Sequence, residues 1–158
     1  QITELKNHQM TTPDFNTAFL VDQTPKEVFN AITNVRGWWS ERIDGGTEQL
    51  NDEFTYQRWD LHKCTMKLIE VIPNKKMVWL CLDNYFSFTQ DQTEWVGTNI
   101  EFEITEKGNK TQVHFTHRGL VPAYECYHIC FDAWTSYIKG SLQSLITTGK
   151  GQPNPRIE

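Results

Sequence analysis

Cys126-Tyr127-His128-Ile129-Cys130 places two thiols and an imidazole within five residues, the side chains that zinc favours, and His62 and Cys64 carry the same chemistry elsewhere in the chain. Helical spacing argues against a metal. Cys126 and Cys130 share one side of a helix while His128 sits nearly opposite, so the three do not chelate together. The four cysteines, at positions 64, 81, 126 and 130, read instead as reduced, buried thiols, because no secretion signal accompanies them. No metal and no other cofactor is expected.

Arg58 and His117 are the polar residues that strand alternation turns inward: Arg58 shares parity with Phe54 and Tyr56, and His117 with Val113 and Phe115. Either could orient a ligand carboxylate or carbonyl. The competing roles are a salt bridge at the sheet rim for Arg58 and a hydrogen-bonded core edge for His117. Acid–base work on a bound molecule needs only a positioned donor or acceptor, for which His117, Asp83 and Glu94 are the candidates. No nucleophile elbow, phosphate-binding loop, dinucleotide glycine pattern or metalloprotease motif occurs, the glycines being isolated or paired as Gly45-Gly46. Covalent and phosphoryl chemistry are unsupported, and catalytic residues stay unassigned.

A chain of 158 residues suffices for one domain with a core and room for a cavity. Its net charge of −5, with fifteen Lys and Arg spread thinly, provides no basic stripe for a phosphate backbone, so nucleic acid is excluded as a partner. No apolar run approaches the roughly twenty residues that span a bilayer, and no signal-peptide core opens the chain, which points to the cytoplasm. The polar segment 1–12, with Met10 a candidate start, falls outside the expected domain at 13–149, and 150–158 is read as a tail.

The elements follow from periodicity and punctuation. Pro13 to Asp22 alternates as a first strand, and Thr24-Pro25 with Glu27 marks the capped start of a short helix from Pro25 to Asn34. Val28, Phe29 and Ile32 give that helix its apolar stripe. The adjacent Trp38 and Trp39 point in different directions in any regular backbone, so one is expected to close the core and the other to cover a groove mouth. From Thr47 to Arg118 the sequence reads as a meander broken at Asn51-Asp52, Asp60-Leu61, Pro73-Asn74 and Gly108-Asn109. His62, Cys64, Met66 and Leu68 share an inner face. In Met77 to Leu82 both parities are apolar, so the inner one stays open. Tyr85, Phe86 and Phe88 fall in an otherwise polar loop, Asp83 to Glu94, where exposure would be costly unless they cover something. After Pro122 one long helix is expected to about Thr148, with Tyr124, Tyr127, Phe131, Trp134, Ile138, Leu142 and Leu145 as its stripe and Gly149 as its cap.

Strands joined by tight turns pair antiparallel, so the order gives an α+β fold. The expected arrangement is a curved antiparallel sheet of six or seven strands wrapped around a long C-terminal helix, with a short helix after the first strand. On Thr24 to Ala31, Gly37-Trp38-Trp39, Gly45-Gly46, Thr116-His117-Arg118-Gly119-Leu120 and Trp134, the sequence resembles the START-like or SRPBCC superfamily. Within it, the resemblance is to homologues of the heat-shock protein 90 ATPase activator, of the C-terminal-domain type, over about Phe15 to Leu145. It implies the helix-grip fold and a cavity between sheet and helix, in a superfamily that ranges from ligand carriers to cyclases and co-chaperone modules.

The expected lining is Trp39, Tyr56, Arg58, Met66, Trp79, Phe102, Phe115, His117, Tyr127, Phe131 and Trp134. The expected function is binding of a small apolar or amphipathic molecule there. The alternatives are a cyclase- or hydrolase-type enzyme using the same cavity and a co-chaperone-like module with a chaperone partner.

Overall fold

Thr24 starts the first helix with a complete capping box: its hydroxyl accepts from the Glu27 amide at 3.2 Å, and the Glu27 carboxylate accepts from the Thr24 amide at 2.9 Å. The computed structural model describes residues 13–156, so segment 1–12 lies outside the described residues. In chain order it contains β1 (Phe15–Val21), α1 (Pro25–Thr33), β2 (Ile43–Gly45), β3 (Glu53–Arg58), β4 (His62–Ile72), β5 (Lys76–Phe86), β6 (Asn99–Lys107) and β7 (Lys110–Arg118). The C-terminal helix follows as α2 (Tyr127–Thr135), a π-helical stretch (Ser136–Leu142) and α3 (Gln143–Thr148). All pairings are antiparallel in one seven-stranded sheet of order β1-β7-β6-β5-β4-β3-β2, and the fold is helix-grip α+β.

Met77, Trp79 and Cys81 take the inner face of β5, which the apolar pattern left open. Beyond them the parity changes. Thr65 pairs with Asp83 but Met66 with Cys81, so Leu82 is an extra residue, a bulge that turns Asn84 and Phe86 inward and Tyr85 out. Tyr85 and Phe86 are therefore strand residues, where the sequence suggests loop.

The C-terminal helix buries Cys126, Cys130, Trp134, Ile138, Leu142 and Ile146. That series repeats every fourth residue, whereas an α-helix of 3.6 residues per turn would rotate it away from the sheet. A π turn takes more residues per turn, so the stretch Ser136–Leu142 brings the seam back. The expected stripe is corrected accordingly: Phe131 is 43% exposed, packing edge-on against Phe15 at 5.1 Å, and Tyr127 stands beside it. Gly149 ends the helix at φ 85°, a conformation that favours glycine.

Trp38 and Trp39 do not diverge. They follow the 3-10 turn Val35–Gly37, where the backbone is irregular, and both rings are buried and nearly parallel at 6.2 Å. The tail then returns along them. The Asn154 amide donates to the Trp39 carbonyl at 3.0 Å, and the Glu41 amide donates to the Asn154 carbonyl at 2.9 Å. Ser141, fully buried, donates to the Trp38 carbonyl and accepts from the Gln152 amide, both at 2.7 Å.

Ser141→Ala leaves that carbonyl and that amide without a partner, so we expect a loss of about 1–3 kcal/mol in urea unfolding. Unchanged stability would show that the tail is not fastened through Ser141.

Candidate functional site

Between the C-terminal helix and the β3–β5 end of the sheet lies a cavity of about 140 Å³. Trp39, Tyr56, Arg58 and Trp134 of the expected lining border it, together with Leu61, His62, Phe86, Phe88, Trp95, Ile129, Cys130, Ala133 and Tyr137. Met66, Trp79, Phe102 and Phe115 instead fill the solid core beneath, each fully buried, and His117 lies there with them. Tyr127 and Phe131 are on the helix flank.

Trp39 is the ring shared by core and groove. It stacks on Tyr56 at 4.2 Å and on Trp79 at 5.8 Å, with Trp134 tilted against it at 5.3 Å. Trp95 closes the opposite wall, parallel to Trp134 at 5.7 Å and edge-on to both His62 and His117 at 4.7 Å. The segment carrying Trp95 is latched to the helix start by exchanged carboxylates. Glu94 accepts from the amides of Glu125 (2.6 Å) and Cys126 (3.2 Å), and Glu125 accepts from those of Gln90 (3.0 Å) and Asp91 (2.8 Å). Sequence reasoning missed Trp95 because it falls between strands; a tryptophan in a polar connection is itself a signal of burial.

His117 is locked by a chain whose proton positions follow from chemistry. The Trp134 indole can only donate, so Nδ1 of His117 accepts it at 3.0 Å, and Nε2–H then donates to the Thr98 hydroxyl at 2.8 Å. Thr98 passes its proton to the Trp95 carbonyl at 2.6 Å. Burial, with a smaller repulsion from His62, pushes the His117 pKa down to about 3. It is a neutral brace for Trp134 and Thr98, not a group presented to a ligand.

His62 occupies the groove wall in its place. It lies directly opposite Arg58 across the β3–β4 hairpin, so both side chains share a face. Its Nε2 bonds Asn84 Oδ1 at 2.8 Å, and Asn84 in turn donates to the Gln92 carbonyl, which fixes the amide's orientation. Burial outweighs that bond and pushes the His62 pKa down to about 4, leaving a neutral imidazole. The remaining acid–base candidates are placed elsewhere. Glu94 is engaged at the helix start, and Asp83 lies on the outer face of the sheet.

At the groove's polar end, Arg58 Nη1 donates to the Tyr137 hydroxyl at 3.2 Å while its guanidinium lies over the Trp59 ring at 4.9 Å. Burial, and then the neighbouring Tyr137, raise the Tyr56 pKa, so the Tyr56 phenol keeps its proton. All four cysteines are buried free thiols; burial is the main force pushing up Cys64 and pushing Cys81 up to about 12. Among the described residues no three His, Cys, Asp or Glu side chains converge as metal ligands would. No helix among them is long and apolar enough to cross a membrane.

A seven-stranded sheet gripping a C-terminal helix over a small aromatic cavity defines the START-like class of helix-grip proteins. Within it, the chain belongs to the family of Activator of Hsp90 ATPase homolog 1-like proteins, whose model matches residues 22–147. The solution structure of the Aha1 dimer from Colwellia psychrerythraea is similar, with a TM-score of 0.70 at 22% identity over 87% of this chain and 98% of that one. SSP2350 from Staphylococcus saprophyticus superposes at 0.65 with 17% identity, over 91% and 98%. DynU16, from the dynemicin biosynthetic locus, gives 0.66 at 13% identity over 92% of this chain and 52% of its own. At these identities the likeness is one of fold. No curated protein matches the sequence.

His117, neutral when folded and basic when unfolded, sets a pH dependence. Its folded pKa of about 3 lies below the ordinary 6.5, so its contribution is complete above pH 6.5 and is lost as pH falls toward 3. Within that window the loss is about 1.4 kcal/mol per pH unit. Urea unfolding between pH 7 and 4 should show the stability gap between wild type and His117→Gln narrowing at about that slope. A constant gap would mean that His117 takes up its proton in the fold as readily as in the unfolded chain.

Proposed function

We propose that the protein binds a small, largely apolar molecule in the groove between β3–β5 and the C-terminal helix. The observation that carries this is a cavity of about 140 Å³ walled by Trp39, Tyr56, Phe86, Trp95, Trp134 and Tyr137. An engineered apolar cavity of about 150 Å³ takes up benzene, so a groove of this volume suits one ring or a short branched chain. The buried indole N–H of Trp39 finds no hydrogen-bond partner among the described residues, and its ring belongs to the groove wall. A guest with an acceptor in reach would relieve it. The origin of DynU16 in a biosynthetic locus agrees with small-molecule traffic in this fold.

A second reading, a module that docks on a chaperone through its outer surface, draws on the family's name and on the likeness to Aha1. It makes the groove dispensable.

Titration with toluene, followed through the indole N–H resonances of Trp39, Trp95 and Trp134, should shift all three saturably. Ala133→Leu and Ala133→Trp, which fill the groove by degrees, should weaken and then abolish the effect. Resonances that ignore toluene, or respond equally in Ala133→Trp, contradict the proposal. An Hsp90 pull-down that is strong and indifferent to Ala133→Trp would support the second reading.

A further inference from the structure

The polar end of the groove is assembled from hydrogen-bond donors. Asn154 Nδ2 donates to the Tyr137 hydroxyl at 2.8 Å and to the Tyr56 hydroxyl at 3.3 Å, and Arg58 Nη1 donates to Tyr137 at 3.2 Å. Each phenol brings a proton of its own. Whichever of the two donates to the other, one phenolic proton has no acceptor in the cluster. The Trp39 indole N–H, from a ring stacked on Tyr56, also has no hydrogen-bond partner among the described residues. Arg58 adds charge: one of its five N–H groups meets Tyr137, and among the described residues no carboxylate forms an ion pair with it.

The chain bears costs to hold this arrangement. Trp59, whose ring lies under the Arg58 guanidinium, has φ 50°, a left-handed conformation that costs a bulky residue about 1–3 kcal/mol. Asn154 is held by main-chain bonds to Trp39 and Glu41. The tail reaches it only because residue 151 is glycine: a Cβ there would stand 2.3 Å from the Gly37 carbonyl oxygen. A cation and unsatisfied donors at one end, with an apolar chamber of one-ring size behind them, describe a complementary guest.

We propose that the groove's guest is a small monocarboxylic acid whose ring or short branched chain enters the chamber while Arg58 and Tyr137 hold its carboxylate, with the tail residue Asn154 positioning Tyr137. This rests on the groove being a binding site, as argued above. The carboxylate accepts two parallel bonds from the guanidinium fork, which Trp59 holds flat, and a further one from the free phenolic proton. Asn154 acts through Tyr137 and Tyr56 and does not touch the guest. The tail thereby belongs to the site.

Three probes of equal girth separate the parts: ethylbenzene, 3-phenylpropanamide and 3-phenylpropanoate, titrated at pH 7 and read by calorimetry and by the tryptophan indole resonances. We expect 3-phenylpropanoate to bind at least about tenfold more tightly than the amide, the scale of a charge-assisted pair. Arg58→Met should bring the acid down to the amide's affinity. Asn154→Ala should lower the acid-to-amide ratio at least about threefold, and a retained melting temperature would separate that from loss of fold. Ethylbenzene that binds while acid and amide bind equally overturns the carboxylate proposal and spares the groove. Failure of all three probes overturns both. An unchanged ratio in Asn154→Ala refutes the role of the tail.

Discussion

The fold and the groove meet in the ring of Trp39. One face of the aromatic stack belongs to the core, through Trp79 and Trp38, and the other to the cavity, through Tyr56 and Trp134. Each such contact is worth only about 0.5–1.5 kcal/mol beyond its buried area, but they share a ring and cannot be changed singly. A shift of Trp39 would move the Tyr56 wall, and through Tyr56 the Asn154 bond. Its backbone is equally committed, since the Trp39 carbonyl receives the tail. The groove is thus an extension of core packing, with its shape set by the most rigid part of the molecule.

Departures from regular geometry aim the side chains at that groove. The Leu82 bulge turns Phe86 and Asn84 inward, and Asn84 then holds His62. The π-helical stretch brings Ile138 and Leu142 onto the seam of Cys130 and Trp134 and contains Tyr137, which reaches Arg58 and Asn154. Regular elements would have produced a filled core with these groups facing out. Bulges and π turns are costly and local, and they concentrate where a fold makes a site.

The same irregularities mark the limit of what the sequence discloses. Alternation in β3, β4, β6 and β7, the Thr24–Glu27 capping box and the Gly149 cap are short-range patterns, and they carry the architecture. Arg58 was legible because its parity runs unbroken from Phe54. Phe86 was not, because one added residue inverts every position beyond it. A single 3.6-residue period over the whole helix puts Phe131 and Tyr127 in the interior, whereas the buried seam runs through Cys126, Cys130 and Trp134 beside them. His117 shares the parity of Val113 and Phe115 as expected, yet Trp134 and Thr98 use both of its nitrogens, and only a three-dimensional partner list reveals that. The role of Asn154 could not be read from sequence, since its partners lie far from it along the chain.

Membership of the Activator of Hsp90 ATPase homolog 1-like family gives the scaffold, and the chemistry of this chain lies in what it builds around Trp39. The central claim is that the groove is preformed, apolar and open to a guest without rearrangement. A crystal pressurised with xenon tests this most directly, because an apolar cavity of this size admits the gas. The account predicts a xenon peak among Trp39, Ala133 and Trp134 with those side chains unmoved. A groove that excludes xenon because Leu61, Phe88 and Ile129 have folded into it would contradict the account.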